Sequence, residues 1–322
     1  MEAVYRAIFS FSEGYNHLNG RVDSQFRQIV PNLDLLVYWN QLLKDASEVQ
    51  GFKPSQKIMQ AALEKKLFHL LKACKEFVPK NICRIAALEG NLDVLKWARA
   101  NGFFWNKSIC SGAAAKGHLE LLQWARSRGC PWDEFTTSSA ALNGHLELLQ
   151  WARSQGCPWN EDTCSAAASN GHLEILQWCR ENSCPWNEET CSSAAGGGHL
   201  EVLQWARANN CPWNEDTCVE AAASNQLKII KWARSQGCLW DERVCYEAAY
   251  EGYLETLQWC RVNGCPWNVS TCTAAAGSGH LRVLQWARSW GCPWDENTYH
   301  EAMDREQYET AIWAKENGCP TI

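Results

Sequence analysis

The stretch Asn170–Trp186, NGHLEILQWCRENSCPW, decides the fold. Two tryptophans stand eight residues apart, with a cysteine and a proline just before the second. The same phrase returns along most of the chain at intervals of 27 residues. Its first tryptophan recurs at Trp97, Trp124, Trp151, Trp178, Trp205, Trp232, Trp259, Trp286 and Trp313. The second recurs at Trp105, Trp132, Trp159, Trp186, Trp213, Trp240, Trp267 and Trp294. Nine copies therefore run from Asn81 to Ile322. A degenerate copy precedes them, since AALEKKLFHLLKA (Ala61–Ala73) echoes AALEGNLDVLKWA (Ala86–Ala98). A period this strict means one supersecondary unit stacked on copies of itself, a solenoid.

Each unit reads as two short helices. In the copy that contains Asn170, Asn160 is the expected N-cap, and Glu161 and Asp162 suit the positive end of a helix dipole. Helix A is expected over about 161–170, ended by Gly171 in a left-handed turn. Helix B is expected over about 172–182. Leu173, Ile175, Leu176 and Trp178 share an apolar stripe of helical spacing there. Glu174 near its start and Arg180 near its end again match the dipole. Most copies close helix B with Gly followed by Cys-Pro-Trp, whose proline prevents continuation. This copy has Ser183 in place of that glycine.

Composition bounds the remaining possibilities. With 46% hydrophobic and 20% charged residues, the chain can bury a core and is not disordered by composition. A net charge of -6 argues against a protein built to neutralise phosphates, so no nucleic acid is expected. No run approaches 18 apolar residues, so no membrane span is expected. The N-terminal stretch lacks the pattern of a signal peptide. An intracellular, reducing compartment, cytoplasmic or nuclear, follows as the expectation, with the eighteen cysteines as thiols.

The segment AAASNGHLEILQW (Ala166–Trp178) resembles the AAxxGHLEVVKLL core of ankyrin repeats. The resemblance covers about three quarters of the chain. It is close to the short, tryptophan-rich ankyrin-like arrays of large DNA viruses, algae and oomycetes. It implies an all-α solenoid of helix-turn-helix units. The usual ankyrin unit has about 33 residues. The missing residues fall where a β-hairpin finger would stand, so the fingers are expected to be shortened or absent. The T-P-L-H tetrapeptide is replaced by forms such as Asp162-Thr163-Cys164-Ser165.

The recurrent side chains read as architecture. Trp178 lies on the apolar stripe and Trp186 follows a helix stop, so both are expected in the core or covering the joint between units. One cysteine column, exemplified by Cys157 and Cys184, precedes Pro-Trp or its variants. Another, exemplified by Cys164 and Cys191, lies in helix A. Copies lose one member or the other, and zinc spacing is missing, so small buried thiols are expected and no metal or cofactor is. His118, His145, His172, His199 and His280 share one column at the entry to helix B, where other copies carry Asn91, Gln226, Tyr253 or Gln307. A structural polar group explains that exchange and a general base does not. No catalytic constellation emerges, and no enzymatic activity is expected.

The variable positions point to function. Two alanines of helix A are nearly constant, as Ala167 and Ala168, while four positions around them change freely. Their spacing of i, i+1, i+4, i+5 puts them on one helical face. The ankyrin resemblance implies that this helix lines a concave, partner-binding side. Unselected drift of a solvent face is the competing reading. The face is richest at Val219, Glu220, Tyr246, Glu247, Tyr250 and Glu251, where tyrosines beside carboxylates suit a protein contact. Trp290 lies outside both tryptophan columns and is a second candidate contact. The expected partner is a protein with a basic or Arg-bearing segment, bound by a monomeric scaffold.

The ends differ from the middle. The last copy carries Glu306 and Gln307 where Gly and His usually stand, as a solenoid cap should. Residues 56–80 form the degenerate first copy, and 1–55 are either an N-terminal cap or a docking module. The run Ile8–Val30 resembles an F-box without its usual Leu-Pro start. That resemblance implies an alternative role as a substrate adaptor docking on a ubiquitin-ligase subunit. Single-stranded RNA binding is a third reading, which requires exposed tryptophans and a basic groove.

Overall fold

The computed structural model describes residues 34–46, 49 and 52–321, so the F-box-like run 8–30 lies outside the described residues. Among the described residues there are 21 α-helices and no strand. The chain divides into two compact units, Met1–Pro131 and Trp132–Ile322. In the first, helices Leu35–Lys44, Gln56–Glu64 and Phe68–Ala73 precede two A/B pairs, Ile82–Leu88 with Leu92–Ala100 and Lys107–Ala115 with Leu119–Ser127. The second unit is a run of seven A/B pairs from Glu134 to Glu316. Within it each A helix packs on its own B helix, and successive A helices pack on one another. This is a helical repeat solenoid, and it contains no hairpin fingers.

The local sequence explains each pair. Helix A of the central copy is Glu161–Ser169 and helix B is Leu173–Glu181. Gly171 at φ 75° makes the left-handed turn between them. The expected cap at Asn160 needs correction. Its backbone is extended, but its side chain accepts no backbone N–H and donates instead to Asp162 Oδ2 at 2.9 Å. The equivalent Asn187, Asp241, Asn268 and Asp295 do cap, each accepting from the N–H two residues on. Asn214 makes the same amide bond to Asp216 Oδ2 at 2.9 Å and still accepts the Asp216 N–H at 3.2 Å, so the amide bond alone does not displace the cap.

The core is narrow and made of small groups. Ala167, Ala168, Leu176 and Cys164 are fully buried, with Ile175 nearly so. Alanine pairs let successive A helices approach closely. Adjacent B helices do not pack as tightly. The tryptophans fill that wider gap and so cover the joint between units, outside the closed core. All seventeen column tryptophans are half-buried. Trp186 meets Trp205 of the next copy edge to face, with ring centres 6.0 Å apart and planes at 66°. The guanidinium of Arg180 lies 4.1 Å from the centre of the Trp186 ring. The trio repeats as Arg153–Trp159–Trp178, Arg207–Trp213–Trp232 and Arg234–Trp240–Trp259. One face of the ring is thus covered by a cation and an edge by another indole, geometry that suits the ring quadrupole.

Two further ladders run along the array, one within the copies and one between them. Cys184 Sγ donates to Asn160 O at 3.5 Å, and Cys211 repeats this to Asn187 O at 3.5 Å. The column before Pro-Trp is therefore a row of thiol donors, each reaching the residue that starts the helix A of its own copy. His172 Nε2 approaches Leu142 O at 3.1 Å, and its ring lies against Gly144 of the preceding copy. The histidine column serves the joint between copies. Among the described residues no helix is long and apolar enough to cross a membrane.

Candidate interaction face

The variable face is carried by A helices Asp216–Ala223, Glu242–Tyr250, Val269–Gly277 and Glu296–Asp304. Their constant alanines face inward, so positions on the opposite side are left to line a surface. Glu220 and Glu251 are exposed, and Tyr246, Glu247 and Tyr250 are half-buried. Val219 is not part of this surface. It is only 8% exposed, whereas Tyr246 and Thr273 in the same column are half-buried and His300 is exposed. Its inclusion among partner-binding residues is therefore corrected.

Trp290 is 52% exposed, as expected for a residue outside both columns. It caps the end of helix B Leu281–Ser289 and rests on Trp286, ring centres 5.4 Å apart. That contact ties it to the tryptophan layer between the B helices, so it does not join the tyrosine-bearing face.

The tyrosines form one wall of a notch. The Tyr246 and Tyr250 rings stack at 6.0 Å with planes 15° apart, as expected one helical turn from each other. The next A helix supplies a floor of Ser270, Thr273, Ala274 and Gly277. Glu301 and Arg305, from the helix after that and its C-cap, make the far wall. The enclosed volume is about 130 Å³. Arg305 lies 5.9 Å from the Tyr250 ring centre and its Nε donates to Glu301 Oε2 at 3.1 Å. Gly277 opens the notch, since a Cβ there would stand 3.4 Å from Arg305 Cδ.

The face is acidic around this notch. Burial, then the neighbouring carboxylates Glu220 and Glu251, push the Glu247 carboxyl above the ordinary carboxylate range. Burial, then Glu247, pushes the Tyr246 hydroxyl up. Arg243 lies beside this cluster but is held by Asp216 at 2.6 Å and Asp241 at 2.8 Å. A second, larger hollow on the same side is lined by Ser169, Ser192, Ser193, Gly196, Gly197, Glu220 and Ser224. Glu220 leans over Gly196 in this hollow, with its Cβ in van der Waals range of where a side chain would begin.

Glu301 and Arg305 were not among the expected contacts, although the internal alignment contains the signal. Read across the 27-residue period, Tyr250, Gly277 and Asp304 share one column, and Glu251, Ser278 and Arg305 the next. A glycine between two large neighbours marks a gap. Away from this face, the sulfurs of Cys164, Cys179 and Cys184 lie within 4.8 Å of one another, all buried. Cys179 belongs to neither cysteine column. It replaces an alanine that the same position carries in seven of the nine copies, such as Ala152 and Ala206. Comparison of the chain with protein-family models and with curated proteins finds no match.

Proposed function

We propose that this chain is a non-catalytic protein-binding scaffold of ankyrin-like type, which takes a protein partner on the variable face of its A helices. The observation that carries this reading is the notch between Tyr250 and Arg305, set in a field of carboxylates. Stacked tyrosines offer large, rigid contact area at small entropic cost. Small floor residues leave room for one inserted side chain. Glu220, Glu247 and Glu251 favour a basic segment, because complementary charge steers association and fixes register. Arg305 does not oppose this, being paired with Glu301 at 3.1 Å. The mechanism is rigid presentation, with buried Ala, Leu and Cys stacking the copies and the variable positions selecting the partner. The buried thiols suit a reducing, intracellular compartment.

The test is capture of partners from lysate by the full chain and by its Tyr246→Ala, Tyr250→Ala double variant. The reading expects the wild-type chain to retain a discrete partner that the double variant loses. A partner retained equally by both would move recognition away from this face. A partner lost only on Trp290→Ala would move it to the tryptophan layer.

A further inference from the structure

We propose that Cys164, Cys179 and Cys184 form a three-coordinate site for a soft monovalent metal ion, Cu(I). The three sulfurs already lie within 4.8 Å of one another. At a metal–sulfur distance of about 2.3 Å, three sulfurs around one ion in a plane stand about 4 Å apart. Closure thus needs each sulfur to move by about half an ångström or less. The three side chains come from helix A, from helix B and from the connection after it, all within one copy, so the fold holds them together without metal. Each is fully buried.

Ligand number and burial select the ion. Thiolates are soft donors and prefer Cu(I), zinc or iron–sulfur clusters. Structural zinc takes four ligands, and catalytic zinc keeps a position for water. Among the described residues no fourth His, Cys, Asp or Glu ligand joins the three. A dry site with three sulfurs fits Cu(I), which is content with three. Charge agrees. Cu(I) with three thiolates carries a net double negative charge, and two guanidiniums, Arg153 and Arg180, exert their fields on these sulfurs. The ion binds by displacing the three thiol protons to solvent.

The same copy has an unusual closure. Ser183 stands at φ 62°, the left-handed conformation that Gly156 and Gly237 adopt in the equivalent turn. A residue with a Cβ is strained there. The strained residue directly precedes Cys184, and Asn210 at φ 63° stands at the equivalent position of the next copy.

The third thiol recurs once more, since Cys245, Cys260 and Cys265 occupy the same three positions 81 residues on. The experiment therefore uses Cys260→Ala as background, leaving one trio to count. Cys179→Ala and Cys260→Ala both restore the alanine of the other copies, so both chains fold, as far-ultraviolet circular dichroism checks. Cu(I) is supplied anaerobically as its acetonitrile complex to the full chain, against excess bathocuproine disulfonate. The C260A chain is expected to retain one more Cu(I) than the C179A/C260A chain. X-ray absorption is expected to find three sulfurs around that ion. Equal retention by the two chains overturns the proposal, as does a two-sulfur environment that Cys179→Ala leaves unchanged.

Discussion

The guanidinium of Arg180 lies 4.1 Å from the centre of the Trp186 ring while its Nη1 donates to the carbonyl oxygen of Cys184. One side chain thus closes the end of helix B, fixes the turn into Cys-Pro-Trp and covers the indole that meets Trp205 of the next copy. Arginine suits this position because its planar fork donates at its edge and stacks on its face, which an ammonium cannot do together.

Removing one such arginine tests the joint directly. Arg207→Ala loses a stacked cation and a hydrogen bond to Cys211 O, and is expected to destabilise the chain by about 1–2 kcal/mol. Arg207→Lys should recover less than half of that. Urea midpoints of the three chains measure it.

The histidine column makes a sharper comparison possible. Gly156 and Gly171 have φ of 79° and 75°, so alanine at either is strained by about 1–2 kcal/mol. A Cβ on Gly156 meets nothing within 4 Å, whereas on Gly171 it would stand 2.5 Å from His199 Nδ1. Gly171→Ala is therefore expected to cost more than Gly156→Ala. Equal losses in chemical denaturation would mean that the histidine ring does not rest on the glycine.

Filling the notch should separate stability from binding. Gly277→Ala adds a Cβ inside helix Val269–Gly277, whose nearest neighbours are Arg305 Cδ at 3.4 Å and Glu301 Cβ at 3.5 Å, ordinary van der Waals distances. It is expected to raise stability by about 0.5–1 kcal/mol, because alanine loses less backbone entropy than glycine. Partner retention should fall at the same time. A thermal melt and a capture assay on the same preparation check both.

Glu247 gives the face a pH dependence whose sign follows from its raised carboxyl. The protonated form is favoured in the folded chain. Its stabilising contribution is complete below the unfolded carboxyl value and is lost as pH rises through the folded one. Glu247→Gln, which stays neutral, should thus raise the melting temperature near neutral pH. The gain should shrink as pH falls through the carboxylate range. A gain independent of pH would assign the effect to something other than the charge.

The architecture was readable because a solenoid repeats its buried positions. Ala167, Ala168, Ile175 and Leu176 recur at an interval that only stacked helix pairs explain, and their burial follows. Burial of the tryptophans was overstated, since apolar spacing reveals which side of helix B faces inward and not how far apart neighbouring B helices stand. Trp178 and Trp186 lie in that gap, half-covered. Val219 was misjudged for a related reason. Its variability suggested exposure, but variability also permits a buried valine. The Cys184-to-Asn160 bond depends on backbone orientation and left no trace in residue identity beyond the cysteine itself. Arg305 was legible as a position of the variable face, and Cys179 as a departure from a column of alanines.

The most direct measurement of the account is selection of a displayed random peptide library on the full chain and on its Tyr250→Ala, Glu247→Gln variant. The account predicts that the wild-type chain enriches peptides sharing an arginine or lysine beside a large side chain, and that the variant fails to bind them. Enrichment of peptides without a basic residue, or of peptides the variant binds equally well, would contradict the assignment of recognition to this face.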